Sequence, residues 1–495
     1  MADNKKRILV TSGIVAVSAL AIAGSQFTGN TFNQKFTAQD SEVNSVVSHR
    51  VCPGPVKFPE SAGGDVDAQF APKYSEVRGA VTALANKDHA IADNLNLKDV
   101  GGGMLQKQVA NQKSVGVAGL TDLFWENTKS LNDYNGLAAS AATSGDLKGL
   151  AAGYCVIPSN DTWLIGGSTN TGRSTVLAIA NISDKPSTVN LEFFTENPNV
   201  NGTSAQSYVI GSHSQKLVNI AALTGNQGNI AIHATSTGGA TSIFAQTTVL
   251  RGTTPGGISY VMPSQALSKR QVITGVSLDD ISKVNDEDMK VYGDSKGIVR
   301  VTNPGDKVAN VTVTVYAEGS PLSVAMKFQV QPKTSLDKDL DGIAGGKYSF
   351  VVTSDVPVAS GVRNFAISDD DPKTTDLAWM STGDAVKGAN YIIPAPELDN
   401  QFTFFATSAA QATIAPINNL GEVGVKTSLS FAANTQRTFD SSSLPLTENG
   451  YLLEVNSGDL YVGQNMSRGD GAYLASAQIG SAAQNDQQEK VRIIP

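Results

Sequence analysis

Short apolar runs separated by polar turns fill most of the chain, and one of these runs recurs. Tyr154-Cys155-Val156-Ile157-Pro158, Tyr260-Val261-Met262-Pro263, Tyr391-Ile392-Ile393-Pro394 and Val491-Arg492-Ile493-Ile494-Pro495 each read as an apolar strand closed by proline. Proline suits that end because it cannot donate to a β-ladder. The intervals 158–263, 263–394 and 394–495 are about 100–130 residues each, the size of a β-sandwich. A second pattern repeats inside them. Asn181, Asn303 and Asn419 each open a turn, and the positions ten and twelve residues on are apolar every time: Leu191 and Phe193, Val313 and Val315, Leu429 and Phe431. Period-two apolar residues after a turn predict a hairpin with one buried face. The asparagines are read as turn formers, since their side chains bond neighbouring backbone and tolerate left-handed conformations. A third element ends in arginine in each interval, at Arg251, Arg363 and Arg468. The expectation there is a strand-end charge or ion pair, with a shared binding face as the alternative.

About seven short strands per interval predict an all-β fold of tandem immunoglobulin-like β-sandwich units. A propeller blade needs only about 40–50 residues, so the spacing disfavours one. The units are placed at residues 154–263, 264–394 and 395–495. Val51-Cys52-Pro53 resembles the boundary strand, so residues 51–153 are read as a degenerate fourth unit. Within it strands are expected at residues 78–84, 115–125 and 136–142, and Met104 to Lys113 is read as a short helix. Abundant glycine, 47 residues, agrees with many turns.

The N-terminus changes the picture from a fold to a location. Lys5, Lys6 and Arg7 form a basic tip, residues 1–7, ahead of an almost uncharged stretch that has no further Asp, Glu, Lys or Arg until Lys35. That arrangement predicts a signal-anchor helix over residues 8–27, with residues 28–50 as a polar stalk. Ala19-Leu20-Ala21 and Ala21-Ile22-Ala23 also fit cleavage sites, which would leave a secreted protein. Either way the rest of the chain lies outside the cytoplasm. The two cysteines, Cys52 and Cys155, then pair as one disulfide, since an oxidising compartment favours it and two lone thiols complete neither a redox Cys-x-x-Cys nor a zinc site. The net charge of −8 argues against a nucleic-acid partner, which needs a basic face.

Chemistry is harder to find. His49, His89, His213 and His233 are scattered without metal-ligand spacing, and no nucleophile elbow or phosphate loop occurs. Asp337-Lys338-Asp339-Leu340-Asp341-Gly342 matches the first half of a calcium loop, yet Tyr348 stands where the bidentate Glu belongs, so it is read as strand and turn. No catalytic residue, metal ligand or cofactor is assigned.

Several features together resemble an uncharacterised actinobacterial family of secreted or single-pass membrane proteins, a domain of unknown function. They are the basic N-terminus with its apolar segment, Cys52-Pro53-Gly54-Pro55, Cys155 shortly before Trp163-Leu164-Ile165-Gly166-Gly167, then Thr171-Gly172-Arg173 and the Asn181 hairpin. The resemblance implies an envelope location and extracellular β domains, and it transfers no catalytic residue. The expected function is therefore structural or interactive without catalysis: a rod tethered to the cell membrane, contacting an envelope protein or a cell-wall polymer. The alternative is a carbohydrate-binding protein of the wall, with Trp125 and Trp379 as ligand platforms and Trp163 in a strand feeding the core. An enzyme with its site in residues 56–150 is the third reading.

Overall fold

The computed structural model describes residues 40–43, 47–57, 76–85, 95–109, 114–126, 134–198, 206–280, 296–340, 342–369, 373–445, 447, 449–469, 473–480 and 489–492. Nearly all of the ordered structure in them is strand; Ala221–Thr224 is a single helical turn and Ser441–Ser443 a 3-10 turn. The anchor expected over residues 8–27 lies outside the described residues, and among those described no helix is long and apolar enough to cross a membrane. The chain divides into two compact units. In the smaller, Asp40–Val43 pairs antiparallel with Glu489–Arg492, placing Asp40 opposite Arg492 and Glu42 opposite Lys490. Part of the expected stalk is thus strand, as residues 47–50 also are.

The larger unit, residues 45–487, contains four modules of the same design. In module II the strands are Asp161–Ile165, Arg173–Asn181, Ser187–Phe194, Gln206–Ile210, Ser214–Asn219, Ala231–Thr237, Ser242–Arg251 and Thr254–Val261. Numbered in that order, they form one sheet ordered first-sixth-third-fourth and another ordered fifth-second-seventh-eighth. Module I repeats both orders with Val47–Cys52, Arg78–Ala85, Leu95–Asp99, Met104–Lys107, Val115–Val117, Thr121–Glu126, Tyr134–Ala142 and Gly149–Tyr154. Module III runs from Ser268–Leu278 to Thr375–Ser381 and module IV from Val386–Ile392 to Tyr473–Ile479. In these two, one long strand (Gly346–Ile367 and Gly450–Arg468) serves as sixth and seventh together, crossing from one sheet to the other. The helix considered from Met104 does not form; Met104–Lys107 is an exposed edge strand.

Alternation explains why the strands form. Ala309–Ala317 alternates buried positions with exposed or half-buried ones, and Val311, Val313 and Val315 enter the module III core from one face. The sequence repeats, in contrast, do not all mark the same strand. Tyr154 and Tyr260 end eighth strands, whereas Tyr391 lies in a first strand and Val491 lies outside the modules. Any apolar strand before a proline looks alike in sequence, whatever its place in a sheet.

The asparagines show what a turn former does at full burial. Asn181 Nδ2 donates to the carbonyls of Lys185 at 2.8 Å, Ile210 at 3.2 Å and Gly211 at 2.9 Å, while its Oδ1 accepts the Ser183 N–H at 3.0 Å. Asn303 repeats this in module III, donating to Lys307 at 2.7 Å and Val330 at 3.1 Å and accepting the Gly305 N–H at 3.1 Å. Each ties the turn after the second strand to the end of the fourth. In module IV the turn sits one strand later, after Ala410–Ile417, and Asn418 takes the role of accepting the Leu420 and Glu422 N–H groups at 2.9 and 3.0 Å.

The modules do not extend as a rod. Their eighth strands pack in a closed cycle, I on II, II on III, III on IV and IV back on I. At the centre of that cycle lies Asp376, 1% exposed. Its Oδ1 accepts the N–H of Ile258 at 3.1 Å and of Leu377 at 2.9 Å; its Oδ2 accepts Leu150 at 2.8 Å and Leu474 at 3.0 Å. One donor comes from each module. A Cβ at Gly149 or Gly257 would fall within 3 Å of this carboxylate, and both residues have positive φ, so glycine is what lets two of the strands come this close. Burial pushes the Asp376 carboxyl well above the ordinary carboxylate range, and the four N–H donors pull the other way. The first and last modules are joined further by Tyr154 Oη donating to Gln464 Oε1 at 2.7 Å, and by Leu84, Leu137 and Leu150 entering the module IV core.

Replacing Asp376 by alanine leaves four buried donors without that acceptor, each costing about 1–3 kcal/mol when orphaned. The expected loss for D376A is at least about 3 kcal/mol, read as a lower urea midpoint. An unchanged midpoint would mean that the carboxylate does not join the modules.

Candidate ligand-binding site

The disulfide expected from the sequence is present: Cys52 and Cys155 are bonded, linking the end of the first strand of module I to the residue after its eighth. Closing a loop of 103 residues stabilises by about 4–5 kcal/mol in the chain-entropy model. A Cys52→Ser/Cys155→Ser variant is therefore expected to lose several kcal/mol of stability under non-reducing conditions, measured by urea unfolding. Equal stability of the two proteins would contradict that.

The tryptophans do not form exposed platforms. Trp125, 1% exposed, packs in the module I core against Tyr134, with ring centroids 5.6 Å apart. Trp379, 4% exposed, lies under the Arg300 guanidinium at 4.6 Å. Arg300 is itself buried, forked onto Asp337 at 2.7 and 2.8 Å and donating to the carbonyls of Gly167 and Ile230, both at 2.7 Å. This cluster joins modules II and III. It also occupies the first carboxylate of the calcium-like loop, and Asp339 pairs with Lys296. The arginines that end the third element differ from one another: Arg251 donates to Thr375 Oγ1 at 3.0 Å, Arg363 to the Lys296 carbonyl, and Arg468 is exposed.

Cavities lie where the modules join; one, of about 880 Å³, is lined from modules III and IV, and two smaller ones carry residues singled out above. One is an axial pit of about 450 Å³ at the far ends of the eighth strands, lined from all four modules, with Asn135, Asp161, Thr241, Asp384 and Gln478 among its polar walls. Arg50 also lines it, and burial lowers the pKa of that guanidinium from its usual value. The other is a cleft of about 520 Å³ between modules II and III. Its wall is made by strand register: Trp163 of the first strand lies opposite His233 of the sixth, which lies opposite Glu192 of the third. The His233 ring stacks on Trp163 at 4.1 Å with an interplanar angle of 8°. Its Nε2 meets Asp161 Oδ1 at 3.1 Å and its Nδ1 meets Glu192 Oε2 at 3.5 Å.

Burial alone would draw the His233 imidazole down, but Glu192 and Asp161 outweigh it and raise its pKa above the ordinary value. The bond to His233 holds the Glu192 carboxyl below the usual range. A histidine with a raised folded pKa stabilises fully below its unfolded value of about 6.5 and loses that contribution as pH rises through the folded one. The depressed Glu192 contributes above about pH 4.3 and loses its share as pH falls. H233Q is therefore expected to lower the melting temperature more at about pH 5.5 than at about pH 8.5. An equal loss at both would contradict the bracketed imidazolium.

Sequence reading missed this cluster. Asp161 and Glu192 lie 72 and 41 residues from His233 along the chain, so only strand pairing brings them together.

The fold and its junction cavities define a class: an all-β protein of four fused two-sheet modules, with one disulfide in the first. The chain belongs to a family of unknown function (DUF5719), whose model matches residues 110–442. No curated protein matches it. Among solved structures it is similar to Thermotoga maritima 1070, at 19% identity over 23% of this chain and 92% of that one, with a TM-score of 0.18. A second, the Anabaena sensory rhodopsin transducer, is 16% identical over 20% of this chain and 95% of its own, with a TM-score of 0.16.

Proposed function

We propose that this chain is an extracytoplasmic protein of the cell envelope, held at the membrane by residues 8–27, that works by binding a wall polymer or an envelope protein and not by catalysis. The observation that carries the reading is the fusion of four like modules into one body whose cavities lie at the module junctions. Such sites between domains are where ligand pockets concentrate. The Cys52–Cys155 disulfide supports an oxidising location, since structural disulfides persist there. In this reading each module is an immunoglobulin-like sandwich by strand number and two-sheet layout, with a strand order of its own. A wall saccharide is the favoured partner over a protein, because the cleft beside Trp163 combines flat rings with a charged rim.

The full chain is expected to fractionate with membranes, to be cleaved by protease added to intact protoplasts, and to sediment saturably with protein-free wall sacculi. Cleavage only after lysis would contradict the location. Sedimentation indistinguishable from a sandwich control would contradict the wall polymer.

A further inference from the structure

The cleft between modules II and III has two unlike walls. Module II supplies the Trp163–His233 stack and Glu192, module III supplies Pro304, Gly305, Val356 and Pro357, and Leu267, packed against the Trp163 cluster, lines the cleft as well. The second wall is held before any ligand arrives. Asn303 clamps the turn from Gly305 to Lys307, and Lys333 Nζ donates to the Pro304 carbonyl at 2.7 Å. The first wall is held by the pairing of three adjacent strands and by the two carboxylates on His233. Preorganised walls save the ordering cost of binding. The volume, about 520 Å³, falls within the range of small-molecule sites, roughly 300–1,000 Å³.

The chemistry narrows the occupant. The rings of His233, Pro304 and Pro357 line the cleft, the prolines apolar and the imidazole flanked by its two carboxylates. Around them sit Glu192, Asp306 and Lys307. A wholly apolar partner would strip water from these charges and return nothing, at a cost of several kcal/mol each when fully buried. A sugar ring meets both demands: its C–H face lies on the rings and its hydroxyls bond the carboxylates and the ammonium without needing a counter-charge.

We propose that this cleft binds a pyranose unit of a neutral saccharide, with the His233 ring, backed by the buried Trp163, and the two prolines contacting the sugar and Glu192 accepting from its hydroxyls. The proposal rests on the wall-binding reading and gives it a location. It replaces the platforms expected at Trp125 and Trp379, whose indoles are buried.

The test is calorimetric titration of the purified full chain with maltotriose, cellotriose, mannotriose and chitotriose, one at a time. At least one is expected to bind at a single site, and E192Q to weaken it about tenfold or more, since a charge-assisted bond is lost. H233A is expected to weaken it comparably, while E422Q, on module IV, leaves it unchanged. Melting curves of each variant confirm folding, and E192Q, a conservative change at a half-exposed side chain, keeps the test decisive if H233A does not fold. Binding of none of the four, binding that E192Q leaves intact, or binding of a proline-rich peptide in their place would overturn the proposal. Should the sacculi still bind the chain when no trisaccharide does, the cleft assignment falls and the wall-binding reading stands.

Discussion

One buried carboxylate meets all four modules. A single acid that accepts an N–H from each of four strands can do so only where those strands converge, and Asp376 is therefore both a product of the closed cycle and a condition of it. Low local dielectric makes each such bond stronger and each unmet donor more costly. The neighbouring contacts follow the same logic: Arg300 forks onto Asp337 and the carbonyls of module II, Asn465 Nδ2 donates to the Gly275 carbonyl at 2.7 Å between modules IV and III, and Tyr260 Oη donates to the Gly54 carbonyl at 2.7 Å between II and I. Polar side chains here specify which module touches which, while the apolar clusters supply most of the burial.

What could be read from the sequence was local. Strands with one solvent-facing side announce themselves by alternation, as Ala309–Ala317 does, and two lone cysteines leave one pairing. The eighth strands gave no such signal. All seven residues of Thr375–Ser381 are buried because both faces are covered, so alternation is lost and the acid at Asp376 has no visible purpose. Its partners Leu150, Ile258 and Leu474 lie 226, 118 and 98 residues away. Trp163 shows the reverse error. Its strand does feed the core, as expected, but the register also sets its ring under His233 at a cleft.

The same closure that hides the tryptophans creates the cavities. Joining module II to module III buries Trp379 beneath Arg300 and leaves the Trp163 cleft; joining the eighth strands leaves the axial pit at their far ends. Binding surfaces in this fold thus belong to junctions between modules, and a single module cut from the chain would carry neither cavity whole.

The central claim is that the four eighth strands are locked on one acid, and amide hydrogen exchange tests it most directly. The account predicts that the amides of Leu150, Ile258, Leu377 and Leu474 exchange together, among the slowest in the protein, opening only with the whole body. Fast or mutually independent exchange at these four positions would contradict a closed cycle held at Asp376.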